Sequence, residues 1–157
     1  MQDSGQRNFV KESATRTSGV ERKNVFKAVI RHLLKFYKKN RGFIPLKLHC
    51  TQETVTYYDK TYKLIKENAD RNKSGVTKDY KKTVNILASN PMLLPLLCMS
   101  LESMYDLYNS GKTRLKEKNK KSYITAIGDM LETARKWLYS SQPYPSTFAG
   151  MFPKTSP

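Results

Sequence analysis

Carboxylates are scarce in this sequence. Thirteen Asp and Glu stand against 29 Lys and Arg among 157 residues, a formal charge of +16. An excess of this size argues against a self-neutralised surface and points to a polyanionic partner: nucleic acid, an anionic membrane face or an acidic protein surface. Histidine is nearly absent, with two residues (His32 and His49), so general-base and metal chemistry have few candidates. The two cysteines, Cys50 and Cys98, form no closely spaced pair, which fits reduced thiols in an intracellular protein better than a disulfide framework. No apolar run approaches the roughly 18 residues of a membrane span, and the opening Met1–Asn8 has no apolar segment of a secretory signal. The expected location is therefore intracellular, nuclear or cytoplasmic, and not secreted.

Catalytic signatures are equally thin. Gly111-Lys112-Thr113 has the ending of a phosphate-binding loop, but Asp106 occupies the position of its required first glycine, and the stretch follows a helical pattern and not a strand. His32, His49, Cys50 and Cys98 lack paired ligand spacing, so no metal and no cofactor is expected. His32 lies beside the apolar face of a helical segment, where a structural histidine is the commoner outcome. With no carboxylate pair either, no catalytic residue is assigned and the chain is expected not to be an enzyme.

What is present is helical periodicity. Asn90–Asn109 carries Leu93, Leu94, Leu96, Leu97, Met99, Leu101, Met104, Tyr105, Leu107 and Tyr108 on nearly every side of a helix, as expected for a central buried helix. Asn90-Pro91 resembles an N-cap with proline at the first position, and Pro95 predicts an irregular first turn. Ser18-Gly19-Val20-Glu21 has the spacing of a capping box, so a helix starts there. Its inward face is Val25, Phe26, Val29, Ile30, Leu33 and Tyr37, and Arg41-Gly42 ends it with glycine suited to a left-handed cap. Phe43–Cys50 contains proline and no helical period, which reads as an extended connector or short edge strand. Thr51 caps a helix with an inward seam of Val55, Tyr58, Tyr62, Ile65 and Ala69. Asn72–Gly75 marks a turn, Thr77 caps a short helix facing inward through Tyr80, Val84, Leu87 and Ala88, and Asn109–Gly111 closes the central helix. A last seam, Ile124, Ile127, Leu131, Ala134 and Leu138, ends near Arg135-Lys136.

The expected fold is all-α: a single bundle of about five helices over residues 18–141, preceded by a flexible polar arm (1–17) and followed by an extended tail (142–157). The tail carries four prolines together with Tyr144, Phe148, Met151 and Phe152, apolar anchors that either pack back or dock on a partner.

Two basic clusters carry the functional expectation. Between Arg22 and Gln52 stand Arg22, Lys23, Lys27, Arg31, Lys35, Lys38, Lys39, Arg41 and Lys47 without one acid. Helices solvated for their own sake intersperse Glu, because a Glu–Lys pair four apart contributes ~0.2–0.5 kcal/mol, whereas Lys27, Arg31, Lys35 and Lys39 repel. The second cluster, Lys112, Arg114, Lys116, Lys118, Lys120 and Lys121, is badly placed at the positive end of a helix dipole, so the following helix either begins near Ser122 or is compensated by an anion. Lys23, Lys27, Arg31, Lys35, Lys38, Lys39 and Arg41 with this second cluster are the candidate nucleic-acid contacts, DNA or RNA, directed at phosphates and not at base edges, since lysine is the weaker choice for bidentate readout. Tyrosines interleaved with lysine in Tyr57–Lys63 could stack on unpaired bases but match the inward seam better. The alternative function is a scaffold subunit of a large assembly, such as a cytoskeletal filament, docking on an acidic protein surface through the basic face and the tail.

Overall fold

In the computed structural model, residues 8–13, 19–71, 80–112 and 117–140 are described, and they are all-α with no strand among them. Seven helices follow in order: α1 Phe9–Ser13, α2 Gly19–Lys39, α3 Ile44–Lys47, α4 Gln52–Arg71, α5 Tyr80–Ser89, α6 Leu94–Asn109 and α7 Glu117–Ser140. No described helix is long and apolar enough to cross a membrane.

The core follows from the apolar faces. Helix α2 buries Val25, Phe26, Val29, Ile30, Leu33 and Tyr37, all six residues of its inward set, and meets α4, α5, α6 and α7. Helix α6 buries Leu94 through Cys98, Ser100, Leu101 and Met104, so its first half is enclosed on all sides. Its second half is not, and Leu107 is 36% exposed. Helix α7 lies along α6 and buries Tyr123, Ala126, Ile127, Met130, Leu131, Ala134, Trp137 and Leu138. Gly128 allows the close approach: a Cβ there would sit 3.3 Å from the Tyr105 ring of α6.

Ends and connections obey capping chemistry. The Asn90 side chain accepts from the Met92 amide at 2.9 Å and its carbonyl accepts from Leu93 and Leu94, closing a turn that contains Pro91. Helix α6 then begins at Leu94, with Pro95 in its first turn, where a missing amide costs nothing. Thr51 Oγ1 accepts from the Thr54 amide at 3.2 Å and caps α4. Gly111 leaves α6 with φ +76°.

Several expectations give way. The segment Phe43–Cys50 is not extended, because proline in the first turn is compatible with a helix, and Ile44–Lys47 form α3. Gly42, after α2, is not left-handed; the left-handed residue of this stretch is His49 (φ 54°), which ends α3, where Cys50 N–H donates to the Pro45 carbonyl at 2.8 Å and His49 N–H to Leu46, the paired bonds of a Schellman ending. His49 thereby has a backbone role. Helix α7 begins at Glu117 rather than near Ser122. The polar arm is also misjudged in part, since Phe9, Val10 and Ser13 of α1 are buried against α5 and α7. Phe9 meets Trp137 edge-on with centroids 5.5 Å apart, Trp137 Nε1 donates to Glu12 at 2.7 Å, and the Val10 amide donates to Asn85 at 2.9 Å. Two apolar residues are too few to show a period, but large enough to fill a pocket. The remaining arm, the Ser18 and Glu21 side chains, the Asn72–Gly75 turn, Thr77 and the tail 142–157 lie outside the described residues.

Phe9→Ala should therefore lower the unfolding free energy by about 3 kcal/mol or more. Urea titration followed by far-UV circular dichroism reads this directly, and a change within ~0.5 kcal/mol, the value for an uninvolved surface site, would contradict the packing of α1.

Candidate nucleic-acid interface

Because the apolar face of α2 is committed to the core, its cations are driven to the opposite side. Lys23, Arg31, Lys35, Lys38 and Lys39 are exposed and Lys27 is half-buried. Among the described residues no carboxylate lies within ion-pair distance of any of these six. Three of them, Lys27, Arg31 and Lys35, succeed one another at one-turn intervals and line an open groove of about 430 Å³. Asn24, Ala28 and His32 complete the α2 wall, and Leu107, Tyr108 and Tyr123 form the facing wall from α6 and α7. The two tyrosine rings lie nearly parallel, 25° between planes, with centroids 6.1 Å apart.

His32 sits within this cationic wall. Burial, and then the nearby Lys35, hold its imidazole below the ordinary 6.5, and Nε2 lies 3.3 Å from Ser103 Oγ on α6. It stacks on Phe36 one turn later, so it is partly structural as expected, but it also contributes to the groove lining.

The other candidates divide. Arg41 departs from the free cations: its guanidinium grips the Asp59 carboxylate through Nε at 3.0 Å and Nη2 at 2.6 Å, and Tyr37 donates to the same carboxylate at 2.6 Å. Arg41 first, with Tyr37, holds the Asp59 carboxyl below its ordinary value. The sequence run without acids misled here, because the acid arrives from α4, 18 residues on. Of the second cluster, Lys112 and Lys121 are exposed; Lys120 is half-buried one turn before Tyr123, its Nζ 3.4 Å from where a Gly111 Cβ would stand. Arg114, Lys116 and the side chain of Lys118 lie outside the described residues, as do Tyr144, Phe148, Met151 and Phe152. The tyrosines near Lys60 are largely occupied inward: Tyr58 donates to the Met92 carbonyl at 2.7 Å, Tyr57 accepts from Asn90 at 2.6 Å, and Tyr62 packs on Tyr37.

Tyr108 and Tyr123 were not singled out as site residues from sequence. Tyr108 belongs to the apolar set of the central helix and Tyr123 stands one residue before the last seam, and only the crossing of α6 and α7 beside α2 brings them opposite the cations. Comparisons with known protein families, with curated proteins and with solved structures find no match.

Two pH dependences follow. An anion bound among Lys27, Arg31 and Lys35 favours the imidazolium of His32, which burial and the Lys35 charge otherwise disfavour. Affinity for a phosphate polyanion should therefore rise as pH falls from 7.5 through the region below 6.5, and His32→Gln should flatten that rise in an anisotropy titration. A flat profile in the parent, or an identical rise in the variant, would contradict this placement. Asp59, with a lowered folded pKa, contributes stability that is fully present above the unfolded carboxyl range and lost as pH falls through the folded value. Acid denaturation of Asp59→Asn should lack that segment; an unchanged acid limb would contradict the Arg41–Asp59–Tyr37 arrangement.

Proposed function

We propose that the chain is a non-enzymatic nucleic-acid-binding accessory subunit, its five long helices forming one bundle that presents the α2 cations to phosphates. The observation that carries this reading is the row Lys27, Arg31 and Lys35 along one open groove without carboxylate partners among the described residues. A purely solvated helix would gain from interspersed Glu, whereas here like charges stand four apart at a cost that a bound polyanion reverses. Release of counterions from the polyanion supplies the affinity, and no base-specific contact is required for it. Lys23, Lys38 and Lys39 extend the positive field, Lys112, Lys120 and Lys121 add to it from the loop and start of α7, and Arg41 is assigned to holding α2 to α4. Nuclear and cytoplasmic residence both accommodate this role.

A scaffold role in a larger assembly is the second reading. It is favoured by apolar side chains open to solvent away from the groove, with Leu46 75% and Leu64 67% exposed. Such a protein would be held by an acidic protein surface and by its tail.

Titration of labelled DNA and RNA over a salt series distinguishes them. The logarithm of the affinity should fall steeply with log salt, and changing Lys27, Arg31 and Lys35 together to Gln should make the slope shallower by about 2 to 3 units, ~0.7–0.9 for each lost contact. Absence of binding near physiological salt, or a slope indifferent to the three changes, would overturn the nucleic-acid reading and favour the protein partner.

A further inference from the structure

Resting on the nucleic-acid reading, we infer that the groove takes an unpaired nucleotide of a single strand, its phosphates on the α2 wall and its base against Tyr108. The two walls differ in chemistry. Lys27, Arg31 and Lys35 line one; Leu107 and the near-parallel pair Tyr108 and Tyr123 line the other. A phosphate needs only the first wall. Any polyanion satisfies it, and a heparin-like chain or a duplex backbone would leave the aromatic wall facing ribose, sugar or water.

A nucleobase needs the second wall. Aromatic side chains stack on bases irrespective of their identity, since every base has a π-face, and such a contact is compatible with cations gripping the backbone beside it. In a duplex those faces are covered by neighbouring base pairs, so only an unpaired base can reach a ring set in a groove. The size agrees: about 430 Å³ is within the ~300–1,000 Å³ of sites that enclose small organic groups. Tyr123, only 9% exposed, lies against Tyr108 and fixes the ring that is half open. The Asn24 amide and the His32 imidazole place polar atoms on the opposite wall, within the same groove, for the sugar or the base edge. A strand, rather than a free nucleotide, matches the continuation of cations beyond the groove, from Lys23 at one end of the α2 face to Lys38 and Lys39 at the other.

The test compares the full chain with Tyr108→Leu and Tyr108→Phe against a labelled single-stranded oligothymidylate, a duplex of equal length and thymidine monophosphate, at one salt concentration. The parent should prefer the single strand, Tyr108→Leu should weaken it about 5- to 100-fold, and Tyr108→Phe should retain it, with duplex binding unmoved by either change. Ultraviolet cross-linking of the parent to a bromouracil-containing strand, followed by peptide mass mapping, reads the same contact without any substitution and should mark Tyr108. Equal, salt-dependent binding of strand and duplex with no effect of Tyr108→Leu, or cross-links only at Tyr57 or elsewhere, would overturn the inference while leaving the phosphate-binding reading intact. Monophosphate binding as tight as the strand would overturn the strand as ligand. No binding of any nucleic acid would overturn both.

Discussion

The burial of one face of α2 against four other helices is the constraint on which the remaining structure depends. Val25, Phe26, Val29, Ile30, Leu33 and Tyr37 cannot be exposed without removing a large part of the core, so the helix has no rotational freedom to hide its charges. The cations face outward because the apolar residues face inward. A membrane-surface or calmodulin-type use of α2 would need that same apolar face, and the fold has already spent it. What remains for function is a positively charged wall whose direction is set by packing.

That wall becomes a groove only through other elements. Helix α6, enclosed in its first half, emerges at Leu107 and Tyr108, and α7 returns alongside it with Tyr123 near its start. Gly128 brings the two helices close enough for Tyr105 to lie on the α7 backbone, and the Tyr108–Tyr123 pair forms near the end of this crossing. Away from the groove, the polar contacts are structural. Arg41 and Tyr37 share Asp59; Arg135, largely buried, pairs with Glu102 across α6 and α7; and Trp137 ties α1 to α7 through Glu12. A cation with a carboxylate beside it is committed, and this separates Arg41 from Lys27, Arg31 and Lys35 although all four stand in one basic run.

The long helices were legible in the sequence because each has enough turns to display a period: α2, α4 and α7 show their seams, and α6 its all-round apolar character. Thr51 and Gly111 were legible as well, since capping is local chemistry. Short elements were not. Helix α1 offers only Phe9 and Val10 as signals, and α3 is disguised by Pro45, which reads as a breaker though it sits in a first turn where it is tolerated. The cationic wall of the proposed site shows in the sequence as a charge run, but the aromatic wall does not, because Tyr108 and Tyr123 are separated in sequence from α2 and face it only when three helices meet.

The central claim is that the cations of α2 and the tyrosine wall form one binding surface. Heteronuclear NMR titration of the full chain with a short single-stranded oligonucleotide tests it most directly. Chemical-shift changes should concentrate on residues 24–35, 107–112 and 120–123, with Lys27, Arg31, Lys35 and Tyr108 among the most affected. Changes spread over the face of α3 and α4, around Leu46 and Leu64, or confined to the tail, would contradict the account and transfer the function to a different surface.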